Sequence, residues 1–422
     1  MKISIFGLGY VGCVSAGCLT KKGHKVIGVD ISETKVDLIN NGLPTIIEKD
    51  IDELIKTSVE NKLLSATTDS NAAVMSSDIS IICVGTPNLH TGHLDLSHIF
   101  ETAENIGKAL KQKAGFHVIM IRSTVAPGTN EKVQNLISKI SGRKLNESFA
   151  VVSNPEFLRE GSAVYDYYNP PYTVIGTDSD KAFEEVQTLY KNIKAPFIRT
   201  SINTAEMIKY VNNTFHALKI AFANEIGNVC ESMGADANEL MDLFIKDTKL
   251  NISSAYLKPG MAYGGSCLPK DLRGLNRIAH DNYVEVPILA SIEKSNELHK
   301  QNAFNKVIQC GKQNIGVIGL AFKPGTDDLR FSPAVDLVER LIGKGYKVKI
   351  LDNNVNLSRL VGKNKSFIEE KLPHLAELLS DNLADVITSS DVIVLNHYAE
   401  ELNELSKYDN KTIIDLSLRM NK

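Results

Sequence analysis

The sequence contains no apolar stretch that approaches the ~20 residues needed to span a membrane. It also has no excess of charge, because 47 basic side chains accompany 50 acidic ones and the formal net charge is −3. The first absence argues against a membrane protein, and the second argues against a basic surface for nucleic acid. The amino terminus lacks the charged and apolar regions of a signal peptide, so we predict a cytoplasmic protein.

Cysteine is sparse and scattered. The six cysteines, at positions 13, 18, 83, 230, 267 and 310, form no Cys-x-x-Cys motif. This spacing indicates neither a metal site nor a redox pair, and it is typical of a reduced chain whose thiols lie mostly in the core. With 422 residues, 43% of them hydrophobic, the chain is long enough for two or three folded domains.

Short apolar segments alternate with amphipathic helical segments in the first half of the chain. This alternation predicts a mostly parallel sheet with helices on both faces. From residue 203 the pattern changes to a segment, 203–233, that has no proline and one interior glycine. A helix of that length would extend about 45 Å, which is too long for a crossover within one domain. The predicted strands are 2–6, 25–30, 79–84, 117–122, 150–153 and 172–176, and the predicted helices include 95–112 and 129–140.

The strand–helix–strand pattern returns near the carboxyl end, with strands predicted at 314–320 and 347–352 around a helix at 333–343. The segments 22–30 and 344–352 share a Lys-Gly start, an apolar strand and a final aspartate. Either the chain has two similar nucleotide-binding lobes, or any two units of this kind look alike. We predict an α/β fold with two Rossmann-like, doubly wound domains joined by a long central helix and a helical domain, at 1–200, 201–308 and 309–422.

A glycine fingerprint follows the first strand and opens a helix, as a dinucleotide site requires. The glycines permit a tight turn and a close approach to a pyrophosphate, and Asp30 ends the second strand where it can accept from a ribose hydroxyl. The Asp30 carboxylate would repel a 2′-phosphate, so NAD is favoured over NADP, and Lys35 could reach the adenosine end. The alternative is a glycine-rich turn without a ligand. The fingerprint comprises Gly7, Leu8, Gly9, Tyr10, Val11 and Gly12.

Two later strands end in threonines, Thr86 and Thr124, which would face the same crevice unless they are ordinary turn residues.

On the long helix, Lys209, Asn213, His216 and Asn224 project to the side opposite an apolar stripe. A solvated face normally carries several charges of both signs, so this row of amides favours a surface that contacts a ligand.

Cys267 lies between Gly264-Gly265 and Pro269, at a predicted helix start beside Lys270. A thiol in that position has a physical reason to ionise and act as a nucleophile, although a buried structural cysteine is the alternative.

In the segment 154–160, Glu156 and Glu160 offer two carboxylates that could position a water or act as a general base.

These residues together resemble the UDP-glucose/GDP-mannose dehydrogenase family over essentially the whole chain. The segments 205–228, 249–251 and 267–270 resemble the branch of that family that oxidises GDP-mannose. The resemblance rests on residues 7–12, 84–87, 122–125, 154–157, 209 with 213, 264–271 and 322–330.

The resemblance implies an NAD domain, a helical dimerisation domain and a nucleotide-sugar domain, in a homodimer or a larger oligomer of dimers whose active sites share residues. It implies Cys267 as the nucleophile and Glu156 as the base for hydrolysis. Lys209 and Asn213 would hold the alkoxide oxygen, Asp271 would support Cys267 and Lys209, and Thr124 would position a water or the nicotinamide. The implied nucleotide-sugar contacts also include Glu160, His216, Asn224, Tyr256, Lys258, Gly264 and Lys323, and the implied NAD contacts include Lys270 and Arg330.

The expected reaction is the four-electron oxidation of GDP-mannose to GDP-mannuronate through a thiohemiacetal and a thioester on Cys267, with two NADH per turnover. This product would suit polysaccharide synthesis such as that of alginate. The alternatives are the same chemistry on UDP-glucose or a UDP-N-acetylhexosamine, a simple two-electron dehydrogenase, or a nucleotide-sugar sensor that binds NAD without turnover.

Overall fold

The structure of the chain is a computed structural model. It describes residues 1–257, 259–265, 267–322, 326, 328–355, 368, 370–372, 375–396 and 411–417. The chain divides into two compact units, Met1–His216 and Ala217–Lys422. Among the described residues, no helix combines the length and the apolar character that crossing a bilayer would require.

The first unit is an eight-stranded sheet with helices on both faces. Its strand order is β3-β2-β1-β4-β5-β6-β7-β8, and all neighbours are parallel except β6 and β7. The order reverses between β1 and β4, so the crevice at their carboxyl ends is the expected ligand position. The elements are β1 Lys2–Phe6, α1 Tyr10–Lys21, β2 Lys25–Val29, α2 Glu33–Asn40, α3 Ile51–Glu60, β3 Leu64–Thr67, α4 Ser70–Met75, β4 Ile79–Ile82, α5 Ser97–Leu110, β5 His117–Ile121, α6 Thr129–Ser141, β6 Phe149–Ser153, α7 Ala163–Tyr168, β7 Thr173–Gly176, α8 Asp180–Leu189 and β8 Phe197–Thr200.

The core of this unit forms two layers, one on each face of the sheet. In β5, Val118 and Met120 pack into one layer while Ile119 and Ile121 pack into the other. The central strands are apolar at almost every position because both faces are covered by helices. This explains why the sequence predicted these strands to within one or two residues of their ends.

The long helix α9 spans Ile202–Met233, 32 residues or about 48 Å, and ends before Gly234 at φ +69°. Two of its glutamates cap other helices. The Glu206 carboxylate accepts from the backbone N–H groups of Gly128 and Asn130 at the start of α6. The Glu225 carboxylate accepts from the N–H groups of Ile288 and Leu289 at the start of the helix Pro287–Ile308. Each carboxylate satisfies otherwise unpaired N–H groups and interacts favourably with a helix dipole.

The second unit begins with helices and ends in a smaller α/β layer. Its sheet has four parallel strands in the order β10-β9-β11-β12. The predicted fold class is confirmed, because both sheets are wound by helices and a helical segment lies between them in the sequence. The elements are α10 Ala237–Phe244, α11 Leu268–Asp281, α12 Pro287–Ile308, β9 Asn314–Ile318, α13 Pro333–Gly343, β10 Lys347–Leu351, helices Leu375–Leu378 and Leu383–Ser389, β11 Val392–Leu395 and β12 Thr412–Asp415.

The two sheets carry the same turn after their first strand. Gly319 at φ +87° donates to the Leu351 carbonyl, as Gly7 at φ +91° donates to the Val29 carbonyl. The carboxylate of Asp352 accepts from the Leu320 N–H at 2.7 Å. Asp30 does the same for Leu8 in the first sheet. The similarity between the segments 22–30 and 344–352 therefore extends to the hydrogen bonds of the turn. The division into domains at 1–200, 201–308 and 309–422 stays a prediction.

Candidate active site

The three glycines of the fingerprint differ in what surrounds them. Gly7 has a positive φ, and a Cβ there would lie 2.8 Å from the carbonyl oxygen of Cys83. A Cβ on Gly12 would lie 1.8 Å from the carbonyl oxygen of Gly7. A Cβ on Gly9 would meet no atom within 4 Å, and its φ of −80° suits any residue. Neither packing nor backbone conformation requires glycine at position 9, whereas a phosphate approaching the helix start would require it.

Asp30 lies at the end of β2, where it is 8% exposed. Burial acts to raise the pKa of Asp30, but hydrogen bonds from the Ser32 and Leu8 N–H groups and the Lys35 ammonium outweigh it, so the pKa lies below its usual value. The Lys35 Nζ is 3.2 Å from Asp30 Oδ2. The carboxylate is therefore held ionised. It can accept a hydrogen bond from a ribose hydroxyl, and it would repel a 2′-phosphate on that ribose.

These residues line a cleft of about 400 Å³. Gly7, Gly9, Asp30 and Lys35 lie on its walls together with residues 83–85, the segment that directly follows β4. Ile31, which the sequence analysis missed, also lines the cleft with 93% of its side chain exposed and offers an apolar face to a ring. The cleft therefore has the residues and the size that a dinucleotide needs.

Tyr10, Val11 and Thr86 make contacts with other groups of the protein. The Tyr10 hydroxyl donates to Glu48, and Val11 packs against the core. The Thr86 hydroxyl donates to the Thr124 carbonyl at 2.7 Å, which joins the segments that follow β4 and β5. Their predicted contacts with NAD stay predictions.

Lys209 and Glu156 form an ion pair near the carboxyl ends of β5 and β6. The Lys209 Nζ is 2.7 Å from Glu156 Oε1, and the two side chains are only 13% and 11% exposed. The other carboxylate oxygen, Oε2, accepts from the Leu158 N–H at 2.6 Å. Thr124 and Lys209 line the same small cavity. The fold thus brings together a cation and a carboxylate that lie 53 residues apart in the chain.

A buried network supports the segment that carries Glu156. The Arg122 Nη1 donates to Asn154 Oδ1 and to the Tyr190 hydroxyl, both at 2.7 Å. Asn154 Nδ2 in turn donates to the Val174 carbonyl. Burial acts to lower the pKa of Arg122, but the surrounding groups, first of them Tyr190, outweigh it and raise the pKa, so the guanidinium stays charged.

The segment that carries Glu160 is fixed by residues that the sequence analysis did not identify. The Gly161 N–H donates to Glu48 Oε2 at 2.7 Å, and Arg159 forms an ion pair with Asp166 at 2.7 Å. Burial acts to raise the pKa of Glu48, but hydrogen bonds from Tyr10 and Gly161 outweigh it and lower the pKa. Glu48 lies in an irregular segment without periodicity, so no sequence pattern marks it, while Glu160 itself is exposed.

Cys267 is exposed at the N-cap of α11, with Pro269 in the first turn. The glycines before it are needed for packing, because a Cβ on Gly264 would lie 2.3 Å from the Phe331 carbonyl oxygen. Gly265 has φ +82° and lies against the Phe322 ring. The two glycines therefore let the backbone pack closely just before the thiol. The other cysteines differ from Cys267, since Cys13, Cys18, Cys83 and Cys230 are buried and Cys310 is partly buried.

Charged residues surround the same helix start. Arg330 pairs with Asp328 at 2.7 Å. That carboxylate is the main cause that raises the pKa of Arg330, and Cys267 adds a smaller contribution. Lys270 pairs with Asp271 at 3.2 Å on the exposed surface. Asp271 also donates its N–H to the Cys267 carbonyl.

The remaining predicted substrate contacts are mostly exposed. Asn213, His216 and Asn224 lie on α9 and are exposed, and Tyr256 is 75% exposed with φ +61°. The predicted residues Lys258 and Lys323 lie outside the described residues. In the part of the chain that the structure describes, no cluster of His, Cys, Asp or Glu could hold a metal ion.

Comparison with known proteins places this arrangement in a family. Residues 1–194 match the NAD binding domain of the UDP-glucose/GDP-mannose dehydrogenase family, residues 203–298 its central domain and residues 316–420 its UDP binding domain. A GDP-mannose 6-dehydrogenase of Pseudomonas putida is 48% identical over 100% of this chain and 97% of its own length.

Solved structures agree with these sequence matches. A crystal structure of a ternary complex of GDP-mannose dehydrogenase from Pseudomonas aeruginosa has a TM-score of 0.96 and 47% identity, and it covers 100% of this chain and 98% of its own. A UDP-glucose dehydrogenase from Pyrobaculum islandicum has a TM-score of 0.58 and 30% identity, with 98% and 93% covered. The chain belongs to the UDP-glucose/GDP-mannose dehydrogenase family, whose NAD binding domain its first unit contains.

Proposed function

We propose that this enzyme oxidises GDP-mannose to GDP-mannuronate with NAD, in a four-electron reaction that releases two NADH. The observation that carries the proposal is the largely buried Lys209–Glu156 ion pair, which supplies a cation and a base at the sheet end that borders the NAD cleft. The choice of GDP-mannose rests on relatives of that activity that match the whole chain.

NAD, when bound in the cleft, accepts the hydride in each of the two oxidations. Gly9 and Gly12 would admit the pyrophosphate to the start of α1, and Asp30 would accept from the adenosine ribose. Lys35 would lie at the adenosine end, with Tyr10, Val11, Thr86, Lys270 and Arg330 as further contacts. The acidic end of β2 favours NAD over NADP.

Lys209 stabilises negative charge on the substrate oxygen. The primary alcohol gives up its proton to water and carries negative charge as an alkoxide until its hydride leaves to form the aldehyde, and the same oxygen becomes negative again when a nucleophile adds to the aldehyde. A fixed cation in a site that excludes water can stabilise such charge by about 3 kcal/mol. Asn213, one turn further along α9, would donate a hydrogen bond to the same oxygen, and Thr124 would hold a water or the nicotinamide.

Cys267 carries the covalent part of the reaction. Its thiolate adds to the aldehyde carbon and forms a thiohemiacetal, and loss of the second hydride from that carbon gives a thioester. Water then attacks the thioester carbonyl while Glu156 accepts a proton from the water, and the C–S bond breaks to release the carboxylate and the thiol. Asp271 would orient Cys267 and Lys209.

The substrate is the part of the proposal that is most directly tested by competition. Glu160, His216, Asn224, Tyr256, Lys258, Gly264 and Lys323 are the proposed nucleotide-sugar contacts. We expect kcat/KM for GDP-mannose to exceed that for UDP-glucose and for UDP-N-acetylmannosamine by at least about 100-fold, because an unmatched base leaves buried polar groups unpaired. A higher kcat/KM with either UDP-sugar would assign the enzyme to the other branch of the family.

We also propose that the chain works as a homodimer or a larger oligomer of dimers. Every residue of α9 from 213 to 220 is exposed, although this segment includes Leu218 and Ile220 at 46% and 64% exposure. A helix with apolar residues uncovered in its middle requires a partner surface. A second copy of the chain is the proposed partner, in a cytoplasmic enzyme that supplies a sugar acid for polysaccharide synthesis.

A further inference from the structure

A small cavity of about 40 Å³ lies behind the segment that carries Glu156. Arg122, Tyr167 and Tyr190 line it, together with Glu156 and Asp166. About 10–15 Å³ is enough for one water molecule, and a chloride ion is only slightly larger, so the cavity can hold one small ligand.

Two hydrogen-bond donors at this cavity have no acceptor. The Arg122 Nε and the Tyr167 hydroxyl are both buried without a partner in the part of the chain that the structure describes. Arg122 is 6% exposed and Tyr167 is 4% exposed. Buried polar groups in folded proteins are almost always paired, so two such donors at one cavity point to a bound species that accepts hydrogen bonds.

The charges around the cavity leave Arg122 without a counter-ion. Glu156 is paired with Lys209 at 2.7 Å, and Asp166 is paired with Arg159 at 2.7 Å. Among the ion pairs of the described residues, none includes Arg122. Its side-chain hydrogen bonds go to the neutral groups of Asn154 and Tyr190, and its guanidinium lies over the neutral Tyr167 ring, 5.8 Å from the ring centroid. A buried charge is stable only when it is compensated, so the local excess of one positive charge favours an anion over a neutral ligand.

We propose that this cavity is a structural binding site for one small monovalent anion of the size of chloride, held by the Arg122 Nε–H and the Tyr167 O–H. Such an anion would complete the hydrogen bonding of Arg122, whose other contacts fix Asn154 and so the segment that leads to Glu156. The site is separate from the NAD cleft and takes no part in the proposed oxidation, so it stands or falls independently of the substrate.

Crystals grown or soaked in sodium bromide test the site directly, with data collected at the bromine absorption edge. We expect an anomalous peak in the cavity within hydrogen-bond distance of the Arg122 Nε and the Tyr167 hydroxyl. A water without anomalous signal at saturating bromide, or an empty cavity, would overturn the proposal.

Thermal unfolding gives a second test in solution. We expect a higher melting temperature in potassium chloride than in potassium gluconate of equal ionic strength. The variant Tyr167→Phe should lose this difference, whereas Tyr165→Phe, which changes a tyrosine that is 65% exposed, should retain it. An equal difference in melting temperature between the two salts for both variants would contradict the proposal. A Tyr167→Phe variant with a higher melting temperature than the wild type in both salts would also contradict it. If Tyr167→Phe does not fold, the bromide experiment decides.

Discussion

Glu156 is the residue at which the proposed roles can be separated. Its carboxylate binds the Lys209 ammonium and the Leu158 N–H, and the proposed mechanism uses it only when the thioester is hydrolysed. Glu156→Gln keeps the shape and the acceptor but removes the base. We expect kcat to fall about 100- to 1000-fold and a sugar-acyl adduct to accumulate on Cys267, seen in the intact mass of the protein.

Glu160 provides the matched control, because it lies in the same segment but is exposed. Glu160→Gln should raise KM for the nucleotide sugar and leave no adduct. An adduct with Glu160→Gln and none with Glu156→Gln would exchange the two assignments.

At the level of single residues, the sequence indicated the chemical groups but not their contacts. Lys209 was marked by the polar stripe of its helix and Glu156 by its position after a strand. Their ion pair joins positions 53 apart and depends on the tertiary fold. Glu48 was missed because its partners, the Tyr10 hydroxyl and the Gly161 N–H, lie in distant segments of the chain. Tyr167 was missed because lining a cavity leaves no pattern in the sequence.

At the level of elements, the turn between β1 and α1 separates packing from ligand binding. Gly12→Ala places a methyl 1.8 Å from the Gly7 carbonyl oxygen, so we expect a loss of about 3 kcal/mol in the free energy of unfolding. Gly9→Ala meets no protein atom within 4 Å, so stability without NAD should change by less than about 1 kcal/mol.

NAD binding distinguishes the two variants further. Gly9→Ala should weaken NAD binding about tenfold or more, because its methyl would occupy the space through which a phosphate approaches the helix. Denaturant unfolding and calorimetric titration with NAD measure the two effects. Unchanged NAD affinity in a folded Gly9→Ala protein would contradict the assigned position of the pyrophosphate.

Helix α9 gives the test of oligomerisation. Leu218→Glu introduces a charge in the exposed apolar middle of the helix, where it would be buried without a partner at a subunit interface. We expect light scattering after gel filtration to report a monomer for this variant and a dimer or larger species for the wild type. Lys132→Glu, an exposed change on α6, should leave the mass unchanged. A wild-type monomer would contradict the proposal.

In the eight-stranded sheet the sequence predicted the strands best where burial is complete. Its inner strands are apolar at nearly every position, whereas β3 and β8 at its two edges are only partly buried and were missed. In the second sheet β11 was missed although all four of its residues are buried. The length of α9 was predicted closely because helix breakers are absent from 203–233 and Gly234 follows. The apolar stripe on α9 was also visible, but a sequence does not reveal which surface covers it.

At the level of the whole molecule, a buried histidine should make folding sensitive to acid. His117 is fully buried at the start of β5, with Ser80 Oγ 2.8 Å from Nε2 and Lys113 Nζ 3.1 Å from Nδ1. Burial, together with Lys113 and Arg143, lowers the pKa of His117 to about 3. In the unfolded chain a histidine has a pKa near 6.5, so between these values only the unfolded state binds the proton.

The sign of the effect follows from this linkage. The contribution of His117 to the free energy of unfolding is fully present above about pH 6.5. It falls as the pH drops toward 3, with a slope that approaches ~1.4 kcal/mol per pH unit. Urea unfolding between pH 7 and pH 5 measures the slope. His117→Gln should reduce it, while His98→Gln, at a side chain that is 49% exposed, should not. An identical slope in both variants would show that His117 does not contribute.

The architecture of the molecule followed from the alternation of strands and helices, and its family followed from short motifs spread along the whole chain. The electrostatic environment of the site did not follow, because it depends on burial and on side chains brought together from distant segments. Arg122 was visible in its motif, but the absence of a carboxylate partner is a property of the folded state.

The most direct measurement is the number of NADH molecules formed for each GDP-mannose consumed, followed at 340 nm with limiting substrate and excess NAD. The account predicts two for the wild-type enzyme, with GDP-mannuronate as the product. It also predicts that Cys267→Ser binds NAD normally but forms no acid. One NADH per substrate with release of the aldehyde, or normal acid formation by Cys267→Ser, would contradict covalent catalysis by Cys267.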